Sequence, residues 1–220
     1  MSPNKEDIVI FCKELHAKGY TPGASGGLAV LCNFGTNSKS IFVTPEGISS
    51  SSLQPSELFV LRDFYGAQEF LPPMERADRS YQISKYCPIF LEGLQSTGAG
   101  CIAYITSKWA TLATRMGLKA WSRDAEGLPN VIRLSHWGLV DEIKPGSCEL
   151  VAPVINFDSV DSQAAQFKRV RSIYPETEVV FVRNTGMIVW ADTFESLKIK
   201  IELLERLCEL QVTEFHLVGK

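Results

Sequence analysis

Apolar residues recur at helical spacing near the start of the chain. Ile8, Phe11, Cys12 and Leu15 share one face, and Lys18-Gly19 closes the stretch, which predicts a first helix. The turn-rich run Pro22 to Gly27 follows, then two apolar runs, Leu28 to Cys32 and Ser40 to Thr44. The loop-like segment 33–37 between them predicts an antiparallel pair. Leu58 to Leu61 reads as a third strand. Residues 63–82 carry little periodicity and two adjacent prolines, so they read as a long surface excursion. Pro88, Ile89, Leu91 and Leu94 mark a helix ending near Thr97-Gly98. Cys101 to Ile105 is a buried strand that runs into a helix from Ser107, and such a strand-to-helix junction is where α/β folds place chemistry. The last third gives a strand at Leu150 to Ile155 and a helix at Ser162 to Ile173. Paired strands at Glu178 to Val182 and Met187 to Trp190 lead to a closing helix from Glu195 to Phe215. This order predicts a mixed, mostly antiparallel sheet covered by helices, with residues 1–220 forming a single domain and no internal repeat.

Composition narrows the field of functions. The 220 residues are 45% hydrophobic and 21% charged, enough chain for one substantial core. The formal net charge of −3 and the absence of basic blocks interleaved with aromatics argue against a nucleic-acid partner. No apolar run approaches the roughly 20 residues that span a membrane, and the N-terminus has no leader pattern, so a soluble, cytoplasmic protein is expected. The six cysteines, at positions 12, 32, 87, 101, 148 and 208, form no C-x-x-C pair and read as small buried residues or free thiols. Cys87, before Pro88 at a helix start, is the one placed where a thiolate would be favoured, although an inert cysteine is the commoner case at such a position.

Several segments, taken in order, carry a family pattern. Gly19-Tyr20-Thr21-Pro22-Gly23-Ala24-Ser25-Gly26-Gly27-Leu28 is a glycine-rich opening, followed by Thr44-Pro45-Glu46-Gly47-Ile48 and Leu53-Gln54-Pro55-Ser56-Glu57-Leu58-Phe59-Val60. Gly98-Ala99-Gly100-Cys101-Ile102 with Thr106-Ser107-Lys108 comes next, then Val182-Arg183-Asn184-Thr185-Gly186-Met187-Ile188-Val189-Trp190. Together they resemble the class II aldolase/adducin family, nearest its methylthioribulose-1-phosphate dehydratase branch, over almost the whole chain. The resemblance implies a three-layer α/β/α fold with a mostly antiparallel central sheet. It also implies a divalent metal, usually zinc, held by a His-x-His pair leaving a strand and a third histidine in a turn, with an open position that polarises a substrate oxygen.

Against that pattern the chain departs at the residues that matter chemically. The three ligand positions are occupied by Tyr104, Thr106 and Thr185, and a phenol with two hydroxyls is no zinc site, so no cofactor is expected; zinc would bind only if this reading of the ligands were wrong. The acid/base glutamate falls on Gly138, which transfers no proton. Ser25, Gly26, Gly27, Thr44, Glu46 and Gly47 stand where the resemblance puts a phosphate-binding loop. There Glu46 replaces a serine and would repel a phosphate, and a lysine of the branch is lost in the serine run 49–52. The backbone N–H groups of Gly23, Ser25, Gly26 and Gly27 retain a capacity for anions, although turn geometry alone accounts for the glycines.

The remaining candidates are few. His16 lies on the polar side of the first helix and His216 near the C-terminus. Only His136 is close to the ancestral site in sequence, where a structural role near a helix N-cap outweighs a ligand role. Asp141-Glu142 are adjacent and face differently, while Trp109, Trp121, Trp137 and Trp190 fit core or interface positions. Three readings result, one of them a small-metabolite sensor that differs from the first of the other two only by an occupied pocket. The first is a non-catalytic homologue acting as a scaffold or regulatory subunit, self-associating as a tetramer or joining a mixed oligomer with an active relative, as the family's rings of four imply. The alternative is an active lyase on a small phosphorylated sugar in methionine salvage, with a site rebuilt around Tyr104, Tyr86 or Cys87.

Overall fold

The computed structural model describes residues 3–34, 38–62, 69–71, 82–120 and 130–218. Helix α1 (Lys5–Ala17) begins at a reciprocal cap, in which the Asn4 side chain accepts from the Asp7 N–H and the Asp7 carboxylate accepts from the Asn4 N–H. Strands β1 (Gly27–Phe34), β2 (Ser38–Val43), β3 (Phe59–Arg62) and β4 (Glu69–Leu71) follow as a meander. Helix α2 (Cys87–Thr97) carries Pro88 in its first turn and stops at Gly98, whose φ of 71° is the left-handed cap that glycine adopts freely. Strand β5 (Cys101–Ile105) leads to α3 (Lys108–Ala120), β6 (Val131–Leu134), α4 (Trp137–Ile143), β7 (Leu150–Ile155), α5 (Val160–Ile173), β8 (Val179–Val182), β9 (Gly186–Ala191) and α6 (Phe194–Val218).

The strands lie in the order β4-β3-β2-β1-β5-β9-β8-β7-β6. Every pairing is antiparallel except β7 with β8, which the crossover helix α5 joins. Strand alternation divides the core into two layers. On β5, Cys101, Ala103 and Ile105 face α1, α3, α4 and α6, whereas Ile102 and Tyr104 face α2 and α5. The layers confirm the expected three-layer α/β/α architecture with its mostly antiparallel sheet. Among the described residues no helix is long and apolar enough to cross a membrane.

Two differences from the sequence reading stand out. Within 63–82, Glu69–Leu71 forms the edge strand β4, with Leu61 opposite Phe70, so part of that stretch is sheet rather than excursion. Residues 63–68 and 72–81 lie outside the described residues, as does Trp121. Strand β6 and helix α4 were not predicted: four residues beside a weakly patterned stretch give too short a period to register.

Candidate functional site

The positions singled out by the family pattern converge at one end of the sheet, where β5, β7 and β8 end and β1 and β9 begin. Backbone proximity there is extreme. Gly27 lies opposite Tyr104 in the β1–β5 ladder, and a Cβ on Gly26 would stand 2.5 Å from the Tyr104 carbonyl oxygen. From the other side a Cβ on Gly186 would stand 1.9 Å from the Ile105 carbonyl oxygen and 2.9 Å from Thr106 Cα. No side chain fits at either place, so these glycines are required by the close approach of three backbones.

Tyr104, Thr106 and Thr185 meet at this end, and each hydroxyl is differently engaged. Ser25 Oγ donates to the Pro22 carbonyl at 2.6 Å, so the 2.6 Å contact between Ser25 and Thr106 is a donation from Thr106 Oγ1 to Ser25 Oγ. Thr185 Oγ1 donates to the Arg183 carbonyl at 3.1 Å. Its turn is clamped by α3: Thr111 Oγ1 donates to the Thr185 carbonyl at 2.7 Å, Thr114 Oγ1 accepts from the Asn184 N–H at 2.9 Å, and Arg115 Nε donates to Asn184 Oδ1. Tyr104 is fully buried, its ring stacked 4.3 Å from that of Tyr86, the residue before α2. Its hydroxyl lies beside Thr185, whose Oγ1, with its own proton given to the Arg183 carbonyl, can accept from the phenol. Burial, reinforced by Tyr86, pushes the Tyr104 phenol well above the ordinary tyrosine range.

The loop positions serve the fold. Thr44 Oγ1 accepts from the Leu28 N–H at 3.1 Å and occupies the space a Gly27 side chain would need. Gly47 turns at a φ of 72°. Glu46, expected to repel an anion, has its charge met by a lysine: Glu46 Oε2 accepts from the Lys85 N–H at 3.0 Å and Oε1 lies 3.2 Å from Lys85 Nζ. That ammonium also sits 5.2 Å over the Tyr86 ring. Burial raises the Tyr86 phenol's pKa, and Lys85 partly offsets the rise. Cys87 is buried and its thiol is pushed up to about 12, so the helix-start position confers no thiolate character.

Other candidates lie elsewhere. Leu134 of β6 pairs with Leu150 at the start of β7, so β6 delivers His136 and Gly138 to the opposite end of the sheet from Tyr104. Gly138 is exposed, with nothing within 4 Å of a Cβ there, and His136 precedes α4, with Nε2 3.4 Å from Glu214. Within one chain, then, Gly138 does not join the cluster that Tyr104, Thr106 and Thr185 form. His16 Nδ1 binds the Thr21 carbonyl at 3.1 Å, and His216 is exposed at the end of α6. Trp190 is buried against Phe167, while Asp141 accepts from the Gly146 N–H. Among the described residues no group of three or more His, Cys, Asp or Glu side chains is placed to hold a metal ion.

Sequence reading missed one buried ionisable group beside the cluster. Glu205 of α6 is 2% exposed, and its carboxylate accepts from Ser107 Oγ, the hydroxyl that also caps α3 by accepting from the Ala110 N–H. Burial lifts Glu205 from 4.5 to about 7, against the opposing effect of the Ser107 bond. The signal for it lies in spacing: Ile201, Glu205, Cys208 and Val212 fall on one face of α6.

Comparison with known proteins establishes the family of the chain. Residues 6–212 match the Class II Aldolase and Adducin N-terminal domain, and the chain belongs to that family. The methylthioribulose-1-phosphate dehydratase of Paracoccidioides brasiliensis (strain Pb03) is 26% identical over 226 aligned residues, covering 96% of this chain and 88% of the relative. In fold, the chain resembles YgbL of Escherichia coli (TM-score 0.70, 16% identity, 94% of this chain and 86% of the other). It also resembles the L-fuculose-1-phosphate aldolase of Thermus thermophilus (TM-score 0.66, 15% identity, 98% and 97%).

Proposed function

We propose that this chain is a non-catalytic homologue of a methylthioribulose-1-phosphate dehydratase, serving as a scaffold or regulatory subunit. The observation that carries the reading is the state of Tyr104, Thr106 and Thr185. They lie together at one end of the sheet, yet they offer two threonine hydroxyls engaged with Ser25 and Arg183 and a buried phenol whose ionisation is opposed. Zinc takes nitrogen, thiolate or carboxylate donors, and this set does not fit it. The alternative, an active lyase with a rebuilt site, draws its support from the dehydratase name of the relatives. It would need Tyr104, Tyr86 or Cys87 to manage protons, and burial opposes ionisation of all three. A glycine at 138 supplies no acid or base to this cluster or to that of a neighbouring subunit.

The test is elemental analysis of the tag-free protein after zinc loading and dialysis, with turnover of methylthioribulose-1-phosphate assayed on the same sample. Zinc far below one per chain, with no turnover, is the expected result. Near-stoichiometric zinc with turnover would overturn the reading in favour of the lyase. A scaffold should also assemble. Light scattering on the eluting protein is expected to give four times the 24.4 kDa chain mass, alone or only when mixed with an active relative.

A further inference from the structure

At the end of the sheet opposite Tyr104, the first turns of α1 and α6 stand side by side with a groove between them. The rings of Phe11 and Phe194 meet edge to face at 5.2 Å and join the two helices there. Further along, Lys18 pairs with Glu202 across the same seam, so the helices run in the same direction. Beside the ring pair lies a cavity of about 490 Å³, lined by Pro3, Asp7 and Ile10 on one side and by Phe194, Glu195 and Lys198 on the other. That volume is within the range of about 300–1,000 Å³ common to binding sites. Ile10 is 53% exposed at its edge, whereas Ile8, Val9, Phe11 and Leu15 of the same helix are buried. An aliphatic side chain left uncovered beside a hollow is apolar surface that a partner can remove from water.

Charge decides what kind of partner fits. Lys198 Nζ lies 5.2 Å from the Phe11 ring centroid and 5.0 Å from that of Phe194, and 3.9 Å from Glu195, so this ammonium is tucked onto the aromatic floor. Lys5 is drawn to another ring, 5.3 Å from that of Phe42. The carboxylates stand at the rim instead: Asp7 is exposed, and the Glu195 side chain is 78% exposed. With Glu6 they fill the first turns of both helices and offset the attraction that two helix N-termini would hold for an anion. An apolar floor under an acidic rim is complementary to an aliphatic side chain flanked by cations.

We propose that the groove between α1 and α6 docks a partner protein. The partner's segment places an aliphatic side chain on Ile10 and Phe194, and a lysine or arginine against Asp7 and Glu195. This surface is remote from Tyr104, Thr106 and Thr185, so it is independent of whether the chain turns over a substrate.

A short leucine–lysine peptide carrying fluorescein is the probe, titrated with the full chain and read by anisotropy. Binding should saturate, weaken as salt is raised, and vanish when glutamate replaces lysine in the peptide. It should also shift the Ile10 methyl resonance of the unaltered protein. Ile10→Ser and Glu195→Lys, both at exposed positions that the fold tolerates, should each weaken binding at least about fivefold. No saturable binding, equal binding of the glutamate peptide, or unchanged affinity in either variant would overturn the proposal. So would a fall in the mass of the Ile10→Ser protein by light scattering without peptide, because the groove is then covered by a second copy of this chain.

Discussion

Replacing Glu205 by glutamine should stabilise the protein above neutrality and leave it nearly unchanged in acid. Glu205 is buried on α6, one carboxylate oxygen accepting from Ser107 and the other without a partner, and its pKa rises from 4.5 to about 7 on folding. A carboxyl that binds its proton more tightly in the folded state gives stability that is complete below about 4.5 and is lost as the pH climbs through 7. The gap corresponds to about 3 kcal/mol, at about 1.4 kcal/mol per pH unit. Glutamine keeps the shape, still accepts from Ser107 and never ionises. Urea unfolding at pH 5, 6, 7 and 8.5 should therefore show the two proteins together at pH 5 and the variant ahead by about 3 kcal/mol at pH 8.5, or roughly 6–12 °C in Tm for a chain of this size. Ser107→Ala, by withdrawing the bond that favours the charged form, should raise the folded pKa further, so the loss still begins near 4.5 but continues to higher pH and grows larger. A difference independent of pH, or a variant less stable at pH 8.5, would refute the account of a buried proton.

Four further outcomes follow from the structure. Gly186→Ala forces a Cβ to 1.9 Å from the Ile105 carbonyl and should cost several kcal/mol or prevent folding. Gly138→Ala, at an open position of α4, should gain up to about 1 kcal/mol, both checked by chemical denaturation. Of the six thiols only Cys148 is exposed, so a disulfide reagent at pH 8 should titrate one rapidly in the native protein and six after unfolding; a fast second thiol would show that Cys87 is accessible. Placing histidine at 104, 106 and 185 together should convert a protein that loses zinc on dialysis into one that retains it, because the backbone already gathers those positions. Elemental analysis checks this.

Much of the fold was legible because its strands alternate cleanly or run fully apolar between turn residues, as β5 and β9 do, and because α1 and α6 carry strong helical period. Strand β4 was not, since Glu69-Phe70-Leu71 is three residues long and its strand character comes from pairing with β3. For the site, residue identity was readable and disposition was not. The loss of imidazoles at 104, 106 and 185 is visible in the letters. The pairing of Glu46 with Lys85 depends on a contact between positions 39 apart, and the neighbourhood of Gly138 depends on which way β6 runs. Glu205 illustrates the limit from the other direction: its place on an apolar face is periodic and readable, whereas the Ser107 hydroxyl 98 residues away is supplied only by the fold.

The glycines that press on the end of β5 have a wider consequence. Gly26 and Gly186 are demanded by backbone carbonyls, which every residue possesses, so their necessity is indifferent to whatever side chains at 104, 106 or 185 do. These two glycines are thus folding requirements, and the side chains at 104, 106 and 185 can change without disturbing them. The close approach at Gly26 and Gly186 would therefore persist through any exchange of the side chains at 104, 106 and 185, so the chemistry of this end of the sheet can be lost or restored without rerouting the chain.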